Sequence, residues 1–400
     1  MMNPVYIVDA VRTPVGKFGG ALSHYRPDDL IAYTIKKLLE RNPTLDVHQI
    51  EDIVLGAANQ SGEDNRNVAR MAVLLAGLPL HIGGVTVNRL CASGLQSIMD
   101  AARAVSCGDG KIYLAGGVES MTRAPFVMAK SETAFGRVAD IHDTTIGWRF
   151  TNKKLVQMGH TNTMGETAEN VARKWNISRE EQDAFALHSQ EKYFNAEQDG
   201  RFFNERIPVE IVQKKETIIF ASDEHPRATT REALSKLKPA FAADGSVTAG
   251  NSSGINDGAA CMILCSQEVV DEYGLKPMAK IKSMAIAGVE PAYMGIGPVF
   301  ASQKALQRAG LKVSDLGLVE LNEAFASQSI ACMRDLHLSP DVVNVNGGAI
   351  AIGHPLGASG TRISTTLLHE MKKRNVKYGL ATMCIGVGQG AAIVYENIEG

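Results

Sequence analysis

The sequence lacks an excess of either charge, with 41 basic against 43 acidic residues among 400 and a formal net charge of −2. Proteins whose main partner is a nucleic acid or an anionic membrane usually carry a basic surplus. No window approaches the roughly 18 apolar residues that a membrane-spanning helix requires. These absences argue against both classes, and a chain that is 45% hydrophobic with 38 glycines is typical of a globular α/β protein.

Cysteine is scarce and irregularly spaced. The six cysteines form no C-x-x-C pair, so we expect neither a disulfide framework nor a metal site such as a zinc site. Residues 1–4 lead directly into the apolar Val5–Val8, without the basic region and long apolar core of a signal peptide. The C-terminal residues 397–400 are not a peroxisomal tripeptide. We therefore expect a cytoplasmic protein with reduced thiols.

Short apolar runs alternate with stretches of helical periodicity along the chain. This alternation predicts an α/β fold in which helices cover parallel sheets. Residues 28–40 are predicted to form an amphipathic helix. The predicted strands are Val5–Val8, Ile53–Leu55, Val85–Val87, Ile112–Leu114, Ala279–Met284, Leu318–Leu321, Val342–Val345 and Gly379–Met383.

The two ends of the chain resemble each other. Residues 45–55 match residues 311–321 at an offset of 266, and residues 85–88 match residues 343–346 at an offset of 258. The offset returns to 266 where residues 92–94 match residues 358–360, so eight extra residues lie between the second and the third match, in the stretch that contains His354. A repeated order of helix, strand, turn and helix indicates an internal duplication.

The duplication predicts three regions, because four hundred residues exceed what one compact core usually holds. The N-terminal half consists of residues 1–121 plus 249–274, and the C-terminal half of residues 275–400. Residues 122–248 form an insert of more polar composition that is too long for a bare loop. We expect this insert to be a small subdomain that covers the site or binds substrate.

Cys91 is the first candidate for chemistry. It lies on a predicted turn between Val85–Val87 and the helical stretch Gly94–Arg103. A cysteine at a helix N-terminus experiences a dipole that favours the thiolate and lowers the thiol pKa. The alternative is a buried cysteine that acts as a small hydrophobic residue, and this is the expectation for Cys107, Cys261, Cys265 and Cys332.

Three further residues follow predicted strands or glycines in the second half. His354, between Gly353 and Pro355, is predicted on an exposed turn. Cys384 precedes a glycine run whose N–H groups can bind an oxyanion. Asn322 follows a strand and is either a helix cap or a site amide. Because loops at the carboxyl ends of parallel strands can converge, two thiols and an imidazole are available for acyl transfer.

Four segments, in this order along the whole chain, resemble the thiolase family. They are Leu90-Cys91-Ala92-Ser93-Gly94, Asn322-Glu323-Ala324-Phe325, Gly353-His354-Pro355-Leu356-Gly357 and Cys384-Ile385-Gly386. The resemblance implies a five-layer α-β-α-β-α sandwich of two duplicated halves, each with a five-stranded mixed sheet, and an inserted loop domain. It also implies a homodimer or homotetramer.

The resemblance assigns roles residue by residue. Cys91 matches the nucleophile that takes the acyl group, and His354 matches the base that deprotonates it. Cys384 matches the second acid/base. Asn322, through a water, matches the partner of His354 in one oxyanion hole, and the N–H groups of Cys91 and Gly386 match the other.

The resemblance also implies the substrates. Coenzyme A is a co-substrate, no cofactor is permanently bound, and the partners are CoA and acyl-CoA. The implied reaction is the CoA-dependent cleavage of a 3-oxoacyl-CoA to a shortened acyl-CoA and acetyl-CoA through an acyl-enzyme. The positions that match contacts to CoA are Met164, Arg227, Ser253 and Phe325.

Different segments of the chain resemble thiolases that act on different substrates. Residues 62–71 and 143–150 resemble the 3-oxoadipyl-CoA thiolases of aromatic-compound catabolism, whose substrate ends in a carboxylate. Arg149 or Arg66 can pair with that carboxylate, or both are surface arginines in a subunit contact. Thr163-Met164-Gly165 lacks the proline of that subgroup.

Other enzyme subtypes remain as alternatives. Residues 362–373 and 379–386 resemble fatty-acid β-oxidation thiolases, so a general 3-oxoacyl-CoA or acetoacetyl-CoA thiolase is the second interpretation. A one-way condensing synthase is disfavoured because Cys384 occupies the second acid/base position. A non-catalytic lipid carrier is disfavoured because Cys91, His354 and Cys384 are all present.

Overall fold

The computed structural model describes residues 3–212 and 216–398. The strands are β1 (Val5–Arg12), β2 (Gly16–Lys17), β3 (Ile50–Gly56), β4 (Val85–Val87), β5 (Ile112–Ser120), β6 (Phe126–Met128), β7 (Ile141–Asp143), β8 (Val209–Val212), β9 (Thr217–Phe220), β10 (Asn256–Ser266), β11 (Ala279–Gly288), β12 (Leu318–Leu321), β13 (Tyr378–Ile385) and β14 (Gln389–Glu396). The α-helices are α1 (Pro27–Glu40), α2 (Val68–Leu75), α3 (Ser93–Cys107), α4 (Lys153–Gln157), α5 (Met164–Lys174), α6 (Arg179–Gln198), α7 (Arg231–Ser235), α8 (Gln267–Tyr273), α9 (Gly297–Ala309), α10 (Ala326–Asp335), α11 (Ala349–Ile352) and α12 (Leu356–Arg374).

The predicted duplication is confirmed by the strand order. The first half has the order β4-β3-β5-β10-β1, and the second has a bridge at Val343 followed by β12-β13-β14-β11. Neighbouring strands run in the same relative directions in both halves. The halves join where β1 pairs antiparallel with β11, with Tyr6 opposite Lys280.

The sheets are mixed, so the pattern-based expectation of parallel sheets is wrong for most of the strand pairings. β3 runs parallel to β4 and β5, and β12 runs parallel to β13. β10 and β14 run antiparallel to their neighbours. Neither strand was among the predicted ones. Val342–Val345 forms only the bridge between Val343 and Val319 rather than a full strand.

Helices lie on both sides of the two half-sheets, which gives the expected α-β-α-β-α layers. α1 and α2 pack on the first half, and α9 packs on β11 and β14 of the second. α3 and α12 lie between the halves and contact each other. The core of this middle layer includes Leu95, Ile98, Ile363 and Leu367, all fully buried or nearly so.

The crossing of α3 and α12 depends on a glycine in each helix. A Cβ added to Gly94 would lie 2.7 Å from the Thr361 nitrogen, and one added to Gly360 would collide with the Leu95 nitrogen. Glycine permits such a close approach because it has no side chain. The contact brings the beginnings of both helices together, so Cys91 before α3 lies near His354 before α12.

Residues 122–248 contain two two-stranded sheets, β6–β7 and β8–β9, together with α4 to α7. The predicted capping box at Ser178 is present at the start of α6. The buried Arg12 of β1 binds Glu205 and Asp223 of this region, each at 2.6 Å. The boundaries of the three predicted regions stay a prediction. Within the described ranges, no helix is long and apolar enough to cross a membrane.

Candidate active site

Cys91 lies on the short turn between β4 and α3. Leu90 before it adopts a left-handed backbone with φ of +47°, and its N–H donates to Asn88 Oδ1 at 2.8 Å. A non-glycine residue in this region is strained and persists only where its surroundings hold it. The turn leaves the Cys91 side chain half-buried.

The resting state of Cys91 differs from the expectation drawn from the helix dipole. Burial raises the pKa of the thiol to about 11, although hydrogen bonds from the backbone N–H groups of Gly386 and Cys91 itself favour the thiolate. The helix N-terminus is present as predicted, but desolvation outweighs it. The thiol is therefore protonated at neutral pH and needs a base.

His354 is buried, with 5% of its surface exposed, so the prediction of an exposed turn is wrong. The backbone N–H of His354 donates to Asn256 Oδ1 at 2.9 Å. Burial, with the charge of Arg362, lowers the pKa of the imidazole to about 3. The ring is therefore neutral, and one of its nitrogens carries a lone pair.

The lone pair is on Nε2. Ser359 Oγ lies 2.6 Å from His354 Nδ1 and 2.8 Å from the Pro355 carbonyl oxygen, which can only accept a hydrogen bond. The hydroxyl proton goes to that carbonyl, so Ser359 accepts from Nδ1–H. The Asn322 amide nitrogen Nδ2 lies 3.4 Å from Nε2. This amide is a hydrogen-bond donor, and it faces the ring nitrogen whose lone pair can accept.

Asn322 is not a helix cap. It follows β12, whereas α10 begins at Ala326 with Phe325 at the N-cap position. Its N–H donates to the Thr382 carbonyl oxygen at 3.0 Å, which ties it to β13. Its Oδ1 is buried without a hydrogen-bond partner among the described residues, so it retains acceptor capacity beside His354.

Cys384 lies near the end of β13 and is 1% exposed. Burial raises its pKa well above the usual thiol value, and the neighbouring Cys91 raises it further. Gly386 follows in the same chain segment and contacts the Cys91 sulfur through its N–H. The structure therefore places Gly386 and Cys384 next to Cys91, and Asn322 next to His354.

A cavity of about 340 Å³ opens at Cys91. Its walls come from the loop after β3, the turn before α3, the segment before α4, the start of α5 and the turn after β13. The lining residues are Ala58, Asn59, Leu90, Cys91, Glu119, Met121, Thr144, Thr145, Ile146, Gly147, Trp148, Arg149, Thr163, Met164, Leu356, Gly386 and Val387.

The four residues expected to contact CoA lie at different depths. Met164 lines the cavity and packs with Phe325 and Cys384 in one apolar cluster. The Ser253 N–H donates to the Ala324 carbonyl oxygen at 3.0 Å, so Ser253 adjoins Phe325. Arg227 is farther out, with its Nη2 at 3.5 Å from the Ala249 carbonyl oxygen.

The two arginines proposed for a terminal carboxylate are separated by the structure. Arg149 is half-buried and lines the cavity that contains Cys91. Arg66 is exposed and does not line it. Of the two arginines, only Arg149 therefore lines the cavity that contains Cys91.

Sequence reasoning missed two polar residues of the site, Ser359 and Glu119. Glu119 is 1% exposed and lines the cavity. Its carboxylate accepts from the N–H groups of Ala58 at 2.9 Å, Asn59 at 3.2 Å and Gly357 at 2.7 Å. Burial nevertheless raises its pKa to about 7. The signal in the sequence was its position near the carboxyl end of β5, where α/β proteins commonly place site residues.

The layered fold, with the Cys91 thiol in a cavity, the Cys384 thiol as its neighbour and a buried neutral imidazole at His354, is that of an α/β enzyme suited to acyl transfer. Residues 5–268 match the family described as "Thiolase, N-terminal domain", and residues 275–397 match "Thiolase, C-terminal domain". The chain belongs to the thiolase family and is an acyltransferase.

Relatives of known name cover the chain from end to end. The 3-oxoadipyl-CoA/3-oxo-5,6-dehydrosuberyl-CoA thiolase of Escherichia coli (strain K12) is 53% identical over 401 residues, 99% of this chain and 100% of that protein. The crystal structure of the Bacillus anthracis acetyl-CoA acetyltransferase has a TM-score of 0.94 at 40% identity. That of human mitochondrial 3-ketoacyl-CoA thiolase has a TM-score of 0.91 at 39% identity. Each covers 99% of both chains, and the predicted thiolase fold is confirmed.

Proposed function

We propose that this enzyme cleaves 3-oxoadipyl-CoA with coenzyme A, giving succinyl-CoA and acetyl-CoA. The observation that carries the proposal is the position of the Cys91 thiol beside the Gly386 N–H, on a turn that adjoins the segment of the neutral His354, whose Nε2 can accept a proton. The name of the Escherichia coli relative supports this substrate. The proposal places the enzyme in the cytoplasm, where both cysteines stay reduced.

The first step forms the acyl-enzyme bond. His354 Nε2 takes the proton of Cys91 as the sulfur attacks the C3 carbonyl carbon of the substrate. The carbonyl oxygen becomes an oxyanion, which accepts from the N–H groups of Cys91 and Gly386. Donors arranged in this way commonly contribute about 10²–10³ in rate. A general base is required because the pKa of the resting thiol is about 11.

The second step breaks the bond between C2 and C3. The electron pair of that bond moves to C2 as the C3 carbonyl re-forms, which leaves the enolate of acetyl-CoA and a succinyl thioester on Cys91. The enolate oxygen accepts from His354 Nε2–H and from a water bound by Asn322. The unpaired, buried Asn322 Oδ1 supports this water. The Cys384 thiol then protonates C2, and acetyl-CoA leaves.

The third step transfers the acyl group to coenzyme A. The Cys384 thiolate takes the proton of the incoming CoA thiol, whose sulfur attacks the succinyl thioester. The bond to Cys91 breaks, succinyl-CoA leaves, and the Cys91 sulfur regains its proton from His354. We propose that Met164, Arg227, Ser253 and Phe325 contact CoA, which is bound as a substrate and not as a resident cofactor.

We also propose that the chain acts as a homodimer or homotetramer. Support comes from apolar side chains left exposed on one chain, since contiguous exposed apolar surface commonly marks an interface. Phe126, Met128 and Ile141 of the β6–β7 pair are 74%, 62% and 62% exposed. Light scattering on the purified protein tests this proposal, and a monomeric mass overturns it.

A general or short-chain 3-oxoacyl-CoA thiolase is the second candidate. The apolar residues of the cavity, Leu90, Ile146 and Trp148, favour it because they suit an uncharged chain. The deciding experiment compares kcat/KM for 3-oxoadipyl-CoA, acetoacetyl-CoA and 3-oxohexadecanoyl-CoA. A preference of at least about tenfold for 3-oxoadipyl-CoA, or about 1.4 kcal/mol, supports our proposal. Preference for an uncharged chain supports the alternative.

A further inference from the structure

Arg149 has no bonding partner among the residues that the structure describes. Among the arginines of residues 3–212 and 216–398 that are not exposed, it alone makes no hydrogen bond, ion pair or ring contact. The others bind carboxylates, carbonyls or amides, as Arg89 and Arg123 do. A half-buried guanidinium loses hydration around five donors, and it commonly recovers this loss by binding an anion. Arg149 therefore has unused capacity for an anionic ligand.

Hydrogen bonds hold the segment that carries Arg149, residues 144–149, at Thr144 and at Trp148. Asn59 Nδ2 donates to the carbonyl oxygen and to the Oγ1 of Thr144, both at 3.1 Å, and Thr144 Oγ1 donates to the Pro125 carbonyl oxygen at 2.6 Å. Next to Arg149, Trp148 Nε1 donates to the Asn162 carbonyl oxygen at 3.3 Å. These contacts hold Arg149 in the wall of the cavity that opens at Cys91.

The carboxylates of the cavity wall and of the chain segment before Arg149 already have partners. Glu119 lines the same cavity, but its oxygens accept three backbone N–H groups. Asp143 accepts from the Thr145 N–H at 2.8 Å. Neither makes an ion pair with Arg149, so the guanidinium charge is available to a ligand inside the cavity.

We infer that Arg149 binds the terminal carboxylate of the acyl group and so selects dicarboxylic substrates. A guanidinium binds a carboxylate through two parallel hydrogen bonds, whereas an ammonium binds it as a point charge. The inference rests on the proposed function, in which C2–C3 cleavage leaves the carboxylate on the fragment attached to Cys91. Arg149 therefore holds the same carboxylate in the substrate and in the succinyl-enzyme.

The test uses two substrates of equal chain length, 3-oxoadipyl-CoA and 3-oxohexanoyl-CoA, which differ in a terminal carboxylate and a methyl group. In Arg149→Gln we expect kcat/KM for 3-oxoadipyl-CoA to fall by about tenfold or more, the size of a lost charge-assisted hydrogen bond. We expect the value for 3-oxohexanoyl-CoA to change by less than about threefold. Arg149→Lys keeps the charge without the planar fork, so we expect an intermediate preference.

A second readout separates substrate selection from a structural role. Acylation of Cys91 by succinyl-CoA and by butyryl-CoA is followed by intact-protein mass. We expect the wild type to favour succinyl-CoA and Arg149→Gln to acylate with both at similar rates. A merely structural role would slow both acylations together and leave their ratio unchanged.

Several outcomes overturn the inference. Equal loss with both 3-oxoacyl substrates would assign Arg149 to the CoA moiety or to folding, and unchanged selectivity would leave it without a role. Loss of selectivity in Arg66→Gln, but not in Arg149→Gln, would move the carboxylate contact to Arg66. If the wild type itself shows no preference for 3-oxoadipyl-CoA, the proposed function fails. If its preference persists in Arg149→Gln, only this inference fails.

Discussion

Ser359 Oγ lies 2.6 Å from His354 Nδ1 and determines which nitrogen of the imidazole carries the proton. The serine belongs to the first turn of α12, and its hydroxyl donates to the Pro355 carbonyl oxygen at 2.8 Å. Because its proton is used in that bond, the Ser359 hydroxyl can only accept a hydrogen bond from His354 Nδ1–H. The histidine that precedes this helix is therefore held as a base by a residue of the helix's first turn.

Replacing Ser359 with alanine should reduce catalysis more than substrate binding. Without the acceptor, the neutral ring can place its proton on Nε2, and that tautomer cannot deprotonate Cys91. General-base catalysis contributes about 10²–10⁴ in rate, so we expect Ser359→Ala to lower kcat by about ten- to a hundredfold with little change in KM. Steady-state kinetics at several pH values measure both constants.

Ser364→Ala is the matched control for this prediction. Ser364 is a buried serine of the same helix whose Oγ accepts from the Tyr395 hydroxyl at 2.9 Å, and it makes no contact with His354. We expect it to affect stability and to leave kcat nearly unchanged. Equal kcat values in Ser359→Ala and in the wild type would contradict the assigned tautomer.

Glu119 should stabilise the fold and the shape of the cavity together. Its two oxygens accept from Ala58, Asn59 and Gly357. In Glu119→Gln, an amide NH₂ would face at least one of these N–H groups and leave a buried donor unpaired. Such a loss costs about 1–3 kcal/mol, which urea unfolding would measure as a lower free energy of unfolding.

Activity should fall with this variant as well, because Ala58, Asn59 and Leu356 line the cavity. The control is Glu268→Gln, at an exposed carboxylate that pairs with Lys111, where we expect little change in either stability or rate. Full activity and stability in Glu119→Gln would show that the three hydrogen bonds do not shape the site.

Replacing each of the two cysteines of the site should block the reaction at a different stage. In Cys91→Ser we expect turnover to be abolished, because the nucleophile is lost. In Cys384→Ser we expect some acyl-enzyme to form while turnover is strongly slowed, because proton transfer at C2 and at CoA is impaired. Intact-protein mass after mixing with 3-oxoadipyl-CoA in the absence of CoA detects the succinyl group on Cys91, and thiolysis assays give the rate.

Cys107→Ser is the control for both variants, since Cys107 is an exposed cysteine at the end of α3 and should tolerate the change. Full thiolytic activity in Cys91→Ser would overturn the proposed mechanism. Absence of any acyl-enzyme in a folded Cys384→Ser protein would assign Cys384 to the first step.

The sequence predicted the reactive residues better than the sheets. Cys91 and His354 stand out because a strand end or glycines flank them, and the repeat places both before paired helices. β10 was missed because it begins with Asn256-Asp257-Gly258, residues that favour turns. β14 was missed because it begins in a glycine run, where periodicity is weak. Both strands are specified by their antiparallel neighbours, which local patterns do not encode.

The two missed polar residues are recognised by contacts that no sequence pattern specifies. Ser359 became identifiable only when the Pro355–Ser359 turn brought its hydroxyl against the ring. Glu119 holds Gly357, which is 238 residues away in the sequence, and no spacing rule connects such a pair. Burial likewise reverses the sequence-based expectation for the Cys91 pKa, because the helix N-terminus is visible in the sequence while the walls that desolvate the thiol are not.

The pH dependence of Cys91 alkylation tests the resting state directly. The pKa of the thiol is about 11 and that of His354 about 3, so the free enzyme holds a thiol and a neutral imidazole rather than a thiolate–imidazolium pair. The thiolate fraction at pH 7 is then on the order of one in ten thousand and rises about tenfold per pH unit. We expect iodoacetamide to modify Cys91 faster at each step from pH 7 to pH 10. The rate measured for Cys91→Ser, which reports modification of the other thiols, is subtracted. A plateau in the rate between pH 6 and pH 8 would instead indicate that the ion pair exists before substrate binds, and His354 would then not need to act as a base in the first step.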